Sequence, residues 1–161
     1  MWSLIIISHI LMLVSFSMLL LSSINGHFTV DELGVLSLTF TSIFSVMIYV
    51  FTQSLVLFLI IAINKNIKNL ILEHKIKIED KFYSSYKYKM HMHTSLNLFF
   101  IVILGILFGG VHTGLINQTV HNILFIIGII HYIYVIYIQY HCFKQIIKLI
   151  VRVNDMIIHK L

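Results

Sequence analysis

The chain has 161 residues, 59% of them hydrophobic and 11% charged, with a mean hydropathy of +0.97. A soluble domain of this length carries about a quarter charged residues, so a water-soluble globule and a disordered chain are both excluded. The formal net charge is +5, but the basic residues sit in two short stretches and form no broad face on a soluble module, which argues against a nucleic-acid partner. There is no proline, and the one cysteine, Cys142, has no partner for an internal disulfide.

A spanning helix needs about 20 mostly apolar residues, and the chain offers four such stretches. The first covers about residues 4–24 and is uncharged, interrupted by His9 and several serines. It lacks a positive n-region, its apolar run is long, and Ser22-Ser23-Ile24 is a poor cleavage site, so it reads as a retained span rather than a signal peptide.

The second stretch, about 33–63, is longer than one bilayer requires, so its ends are expected to project into the interface. It carries Thr41, Ser45, Tyr49 and Thr52, with Gln53 beside them, as one polar stripe at steps of three and four. Unpaired polar groups in hydrocarbon cost several kcal/mol, so the stripe should face protein or a wet cavity. Interhelical hydrogen bonding is the ordinary reading, and a quinone or lipid headgroup site is the functional alternative.

The segment 64–90 follows, with Ile67, Leu70, Ile71 and His74 on one stripe opposite Lys68 and Lys75. The third span covers about 94–115 and contains Gly105, Gly109, Gly110 and Gly114, the small-residue spacing that lets helix backbones approach in lipid. The fourth covers about 119–143 and supplies Gly128. The tail, 144–161, has Ile146, Ile147, Ile150, Val153 and Ile157 at helical spacing. Both basic amphipathic segments, 64–90 and 144–161, are expected to lie along anionic headgroups, with partner docking as the alternative.

Lys65, Lys68, Lys75, Lys77, Lys81, Lys87 and Lys89 follow the second span, and Lys144, Lys148, Arg152 and Lys160 follow the fourth. The other two connections carry no Lys or Arg. The positive-inside rule therefore places both termini inside. The sequence describes a single-domain, all-α polytopic membrane protein, a four-transmembrane-helix bundle.

Ten histidines against six carboxylates is the unusual entry in the composition. With the hairpin of spans three and four turning near residues 116 and 117, Gly105 is expected to face Gly128, His112 to meet His121, and His93 to share a depth with His141. His112 lies about 20° from Gly105 around its helix, and His121 stands in the same relation to Gly128. His112, His121, His93 and His141 are thus candidate haem b ligands, since haem iron takes histidines from facing helices. Gly-to-Gly contact draws helices together, which suits copper or zinc better than a porphyrin, with His27, Asp31 or Glu32 completing a site with His112 and His121.

The chain resembles small four-span b-type cytochromes in length and histidine number, but not in pattern. A two-haem cytochrome implies same-helix histidines about 14 residues apart on one side, close to four turns. Here His93 and His112 are displaced by about 100°, and His121, His131 and His141 turn by about 80° at each step. No carboxylate, Lys or Arg lies mid-span, and no phosphate-binding loop is present, so an autonomous enzyme is not expected.

Phe51-Thr52-Gln53-Ser54-Leu55 with its Lys-rich exit, and Leu107-Phe108-Gly109-Gly110-Val111-His112-Thr113-Gly114 with His121 beyond, are similar to small bacterial four-span membrane proteins of uncharacterised function. The likeness covers roughly residues 50–155 and implies topology and the outer histidines, but no reaction.

The leading functional expectation is a small accessory subunit of a larger membrane complex, in a bacterial inner membrane or an organelle inner membrane. It would contact the lipid bilayer and either other membrane subunits or further copies of itself, docking through the glycines Gly105 and Gly109 and the Thr41 to Gln53 stripe. The alternative is a histidine-ligated haem or copper/zinc redox protein that transfers electrons. A lipid- or quinone-binding protein is the third reading.

Overall fold

The computed structural model describes residues 2–28, 32–76, 81–112 and 115–158, with side chains at 5–22, 42–76, 84–85, 87–107, 111 and 115–158. It has four helices: α1 (Trp2–Phe28), α2 (Glu32–Glu73), α3 (Lys81–His112) and α4 (Gln118–Ile158). No strand occurs among the described residues. Each helix contains a stretch long and apolar enough to cross a membrane. This is an integral membrane protein with an all-helical, four-helix architecture.

The interior follows a seven-residue repeat. On α1 the buried positions are Ile5, Ser8, Met12, Ser15, Leu19 and Ser22, alternating steps of three and four. On α2 they include Ser45, Tyr49, Thr52, Val56, Leu59 and Ile63; on α3, Met90, Thr94, Asn97, Ile101 and Leu104. On α4 the series Gly128, Tyr132, Val135, Gln139, Cys142, Ile146, Leu149 and Val153 keeps the same rhythm. A straight helix drifts about 20° per heptad from such a repeat, so four helices that keep it must wrap left-handedly to hold their seams together.

The outer surface is more apolar than this interior. Leu13, Met47, Phe51, Phe58, Ile106, Ile126 and Ile130 are exposed, while serine, threonine, asparagine and glutamine side chains are buried. Water would penalise such a surface; lipid does not. Ser17, which is exposed on α1, returns its hydroxyl to the Leu13 carbonyl at 3.0 Å, so it presents no unmade hydrogen bond to the chains around it.

Neighbouring helices are antiparallel. Ser22 meets Ser42 at 2.8 Å across α1 and α2, Tyr49 meets Asn97 across α2 and α3, and Ser15 meets Tyr132 across α1 and α4. The α3–α4 and α1–α2 interfaces are the most extensive, and α1 and α3 sit on a diagonal without contact among the described residues. The start of α1 and the lower part of α4 lie at the same end of the bundle, where Ile5 and Ile6 stand beside Phe143 and Lys144.

The two amphipathic segments behave differently from the sequence expectation. Residues 64–73 continue α2, and 144–158 continue α4 without a break. Their apolar stripes pack into the bundle: Ile63, Ile67 and Ile76 join Ile146, Leu149 and Val153 in one buried cluster, flanked by Ile71, Ile147, Ile150 and Ile157. Each stripe finds its apolar partner within the chain, so neither needs a headgroup layer to cover it.

Capping explains where these helices stop. At the end of α2 the Ile76 N–H donates to the Ile71 carbonyl at 3.0 Å, and Lys75 N–H to Leu72 at 3.3 Å. With Lys75 at a φ of 49°, this is a Schellman motif whose hydrophobic contact is Ile76 itself. At the start of α4, Asn117 Oδ1 accepts from the Thr119 N–H at 2.9 Å, satisfying a donor that the helix leaves open.

Candidate functional site

The middle of the bundle is crossed by two chains of buried hydrogen bonds. In the first, Gln139 Nε2 donates to Gln53 Oε1 at 2.7 Å and to Thr94 Oγ1 at 3.1 Å. Gln53 Nε2 donates to the Tyr132 hydroxyl at 2.9 Å, and Tyr132 shares a 2.7 Å bond with Ser15 Oγ. This chain draws a side chain from every helix. Gln139 Oε1 is its one acceptor without a partner among the described residues.

In the second chain, the Tyr49 hydroxyl donates to Asn97 Oδ1 at 2.5 Å. Asn97 Nδ2 donates to the Gly128 carbonyl at 3.0 Å and meets His131 Nδ1 at 3.0 Å. His131 Nε2 lies 3.4 Å from His93 Nδ1. The two chains touch where the Tyr49 and Tyr132 rings pack edge to face, 4.9 Å between centroids.

Donor and acceptor parity assigns the protons of the second chain. Only the amide nitrogen of Asn97 can face the Gly128 carbonyl, because two oxygens 3.0 Å apart would repel. His131 Nδ1 must then accept, which leaves the proton of the neutral ring on Nε2, aimed at His93 Nδ1. The His93–His131 contact is thus a long one, with His131 Nε2 as the donor and His93 Nδ1 as the acceptor. A metal at His131 Nε2 would have to displace that proton, so the surrounding bonds do not prepare this pair as ligands.

The sequence candidates are distributed as follows. His121 is buried, with Nε2 2.9 Å from the Leu104 carbonyl and its ring stacked on Phe125. His112 ends α3, but its side chain lies outside the described residues, as do those of His27 and Thr41 and the surroundings of Gly109. His93 faces His131, while His141 lies against Tyr137 and Tyr140 with centroids 4.4 and 5.6 Å away. Among the described residues, no three His, Cys, Asp or Glu side chains converge on one point.

The glycines also part company. A Cβ on Gly105 would stand 3.2 Å from Val46 of α2, and one on Gly128 2.7 Å from Ile101 of α3. Gly105 therefore lets α3 approach α2, and Gly128 lets α4 approach α3, and the two do not face each other. The physical reason is angular position: the Gly105 side of α3 turns toward α2, whereas Gly128 of α4 meets α3 at Phe100 and Ile101.

The polar stripe of α2 turns inward. Ser45, Tyr49, Thr52 and Gln53 are all buried; Tyr49 and Gln53 bond to other helices, and Thr52 returns to the Ile48 carbonyl at 2.8 Å. Neither this stripe nor Gly105 is therefore available as an outer docking face. Sequence reading missed their partners Ser15, Thr94, Asn97, Tyr132 and Gln139. The signal that marks them is the shared heptad: each is a polar residue placed on the buried seam of its own helix.

A different group does face outward. On α4, Tyr134 and Tyr137 are 46% and 59% exposed, flanked by the half-buried His131 and His141 on the same side. His93 of α3 completes the group, its ring edge-on to Tyr134 at 5.1 Å. Neither tyrosine hydroxyl has a hydrogen-bond partner among the described residues.

Comparison with family models, curated proteins and solved structures returns no match for this chain.

Proposed function

We propose that this chain is a small integral membrane subunit without chemistry of its own, docked to the transmembrane helices of a larger complex through the His93, His131, Tyr134, Tyr137 and His141 face of α3 and α4. The observation that carries this reading is the contrast between inside and outside. The interior polar groups bond almost entirely to one another, so they hold the bundle together. The outward tyrosines lie within an apolar span, and their hydroxyls have no hydrogen-bond partner among the described residues. Hydrocarbon leaves such hydroxyls unsatisfied, whereas a neighbouring helix can bond to them and cover their rings.

In this reading both termini lie on the cytoplasmic or matrix side, because the basic residues concentrate at that end. The membrane is then a bacterial inner membrane or an organelle inner membrane. The test is photo-crosslinking in native membranes, with a benzophenone side chain at Tyr137 or at Phe58, which is 67% exposed on α2. A discrete heteromeric adduct from position 137 and none from 58 is the expected result. Equal, diffuse labelling from both positions would remove the proposal. A dithionite-reduced minus oxidised spectrum, with elemental analysis of the same sample, separates it from the haem or copper/zinc alternative.

A further inference from the structure

On the side of the bundle formed by α1 and α4, a groove of about 400 Å³ opens at the end where α1 begins. Ile5, Ile6, Ile10, Phe143 and Ile147 form its apolar surface, with His9, Tyr140 and Lys144 as its polar members. His9 Nδ1 donates to the Ile5 carbonyl at 2.7 Å, and its ring packs on Phe143 and Tyr140, so its position is set by the chain. Lys148 is exposed one turn beyond Lys144 on the same face of α4.

We propose that this groove holds one acyl chain of an anionic phospholipid, with the phosphate on Lys144 and Lys148. The groove runs about 10 Å along α4 between Tyr140 and Ile147, and its lining is mostly apolar, as an acyl chain requires. Depth argues for a phospholipid: the lysines follow directly on the apolar span of α4, while Ile10 and Tyr140 line the groove on the side toward that span. Charge argues for an anionic one. The groove contains no acid, and the nearest one along this part of α4, Asp155, lies about 16 Å from Lys144 along the axis.

The experiment is native mass spectrometry of the full-length protein in mild detergent, titrated with phosphatidylglycerol or with phosphatidylcholine of the same acyl chains. One phosphatidylglycerol should be retained far more strongly than phosphatidylcholine. Each lysine is worth about five-fold, so Lys144→Gln with Lys148→Gln should weaken phosphatidylglycerol retention about 25-fold and leave phosphatidylcholine unchanged. Ile6→Trp, which fills the groove from its open side, should lower retention with both lysines intact. Equal retention of the two lipids would overturn the proposal, as would an unaffected Ile6→Trp. A loss of the same size in Lys65→Gln with Lys68→Gln, which removes the same two charges outside the groove, would show general attraction only and would also overturn it.

Discussion

The middle of the bundle and its lower extension are built on opposite principles. Within the apolar spans, Ser15, Tyr49, Gln53, Thr94, Asn97, Tyr132 and Gln139 join the helices by hydrogen bonds. Below them, Ile63, Ile67, Ile76, Ile146, Leu149 and Val153 join α2 and α4 by apolar packing. Lipid tails are as apolar as leucine, so burying a methyl group against another helix gains little there, and polar contacts and close approach supply the association. In water the same burial gains about 25 cal/mol per Å². The two regions are thus held together by different chemistry.

Ile146→Ala tests the lower region most severely. Ile146 is fully buried in that cluster, so truncation should cost about 2–5 kcal/mol from lost transfer energy and a residual cavity. The readout is the midpoint of unfolding as sodium dodecyl sulfate is titrated into the purified protein. Gly128→Leu comes next, since even a Cβ there meets Ile101 at 2.7 Å and the Phe100 ring at 3.2 Å. A loss of about 1–3 kcal/mol is expected, with a larger distance between spin labels placed on lipid-facing positions of α3 and α4.

Gln53→Leu sharpens the comparison. It breaks the bonds to Tyr132 and Gln139 at once, yet interhelical hydrogen bonds in membranes average only about 0.6 kcal/mol because the separated helices find other partners. A cost of about 1 kcal/mol is expected, measured in the same titration. A cost above that of Ile146→Ala would break the contrast between the two regions. The smallest effect is a gain. Lys75 occupies the left-handed position of the α2 cap, where glycine has no steric penalty, so Lys75→Gly should stabilise by about 0.5–1 kcal/mol.

Several features were legible from residue order because lipid imposes them locally. Four apolar stretches became four helices, and the polar stripe at Ser45, Tyr49, Thr52 and Gln53 was buried, since hydrocarbon leaves such groups no outward choice. The stripes at Ile67 and Ile146 were equally visible, but periodicity cannot say what covers a stripe, and the structure covers each with the other. Which helix each face meets was not legible, because it depends on the rotation of each helix within the bundle: Gly105 lies against Val46 of α2 rather than Gly128, and His93 lies against His131.

The sequence by itself determined the solvent, the number of helices and the inward polar stripe of α2. Those properties follow from hydropathy and from the spacing of polar residues within a single helix. Only the tertiary structure decided which polar groups meet and which tyrosines face outward. Those outcomes depend on the relative displacement of helices, and that displacement is set by packing at positions such as Gly105 and Gly128, between residues far apart in the chain.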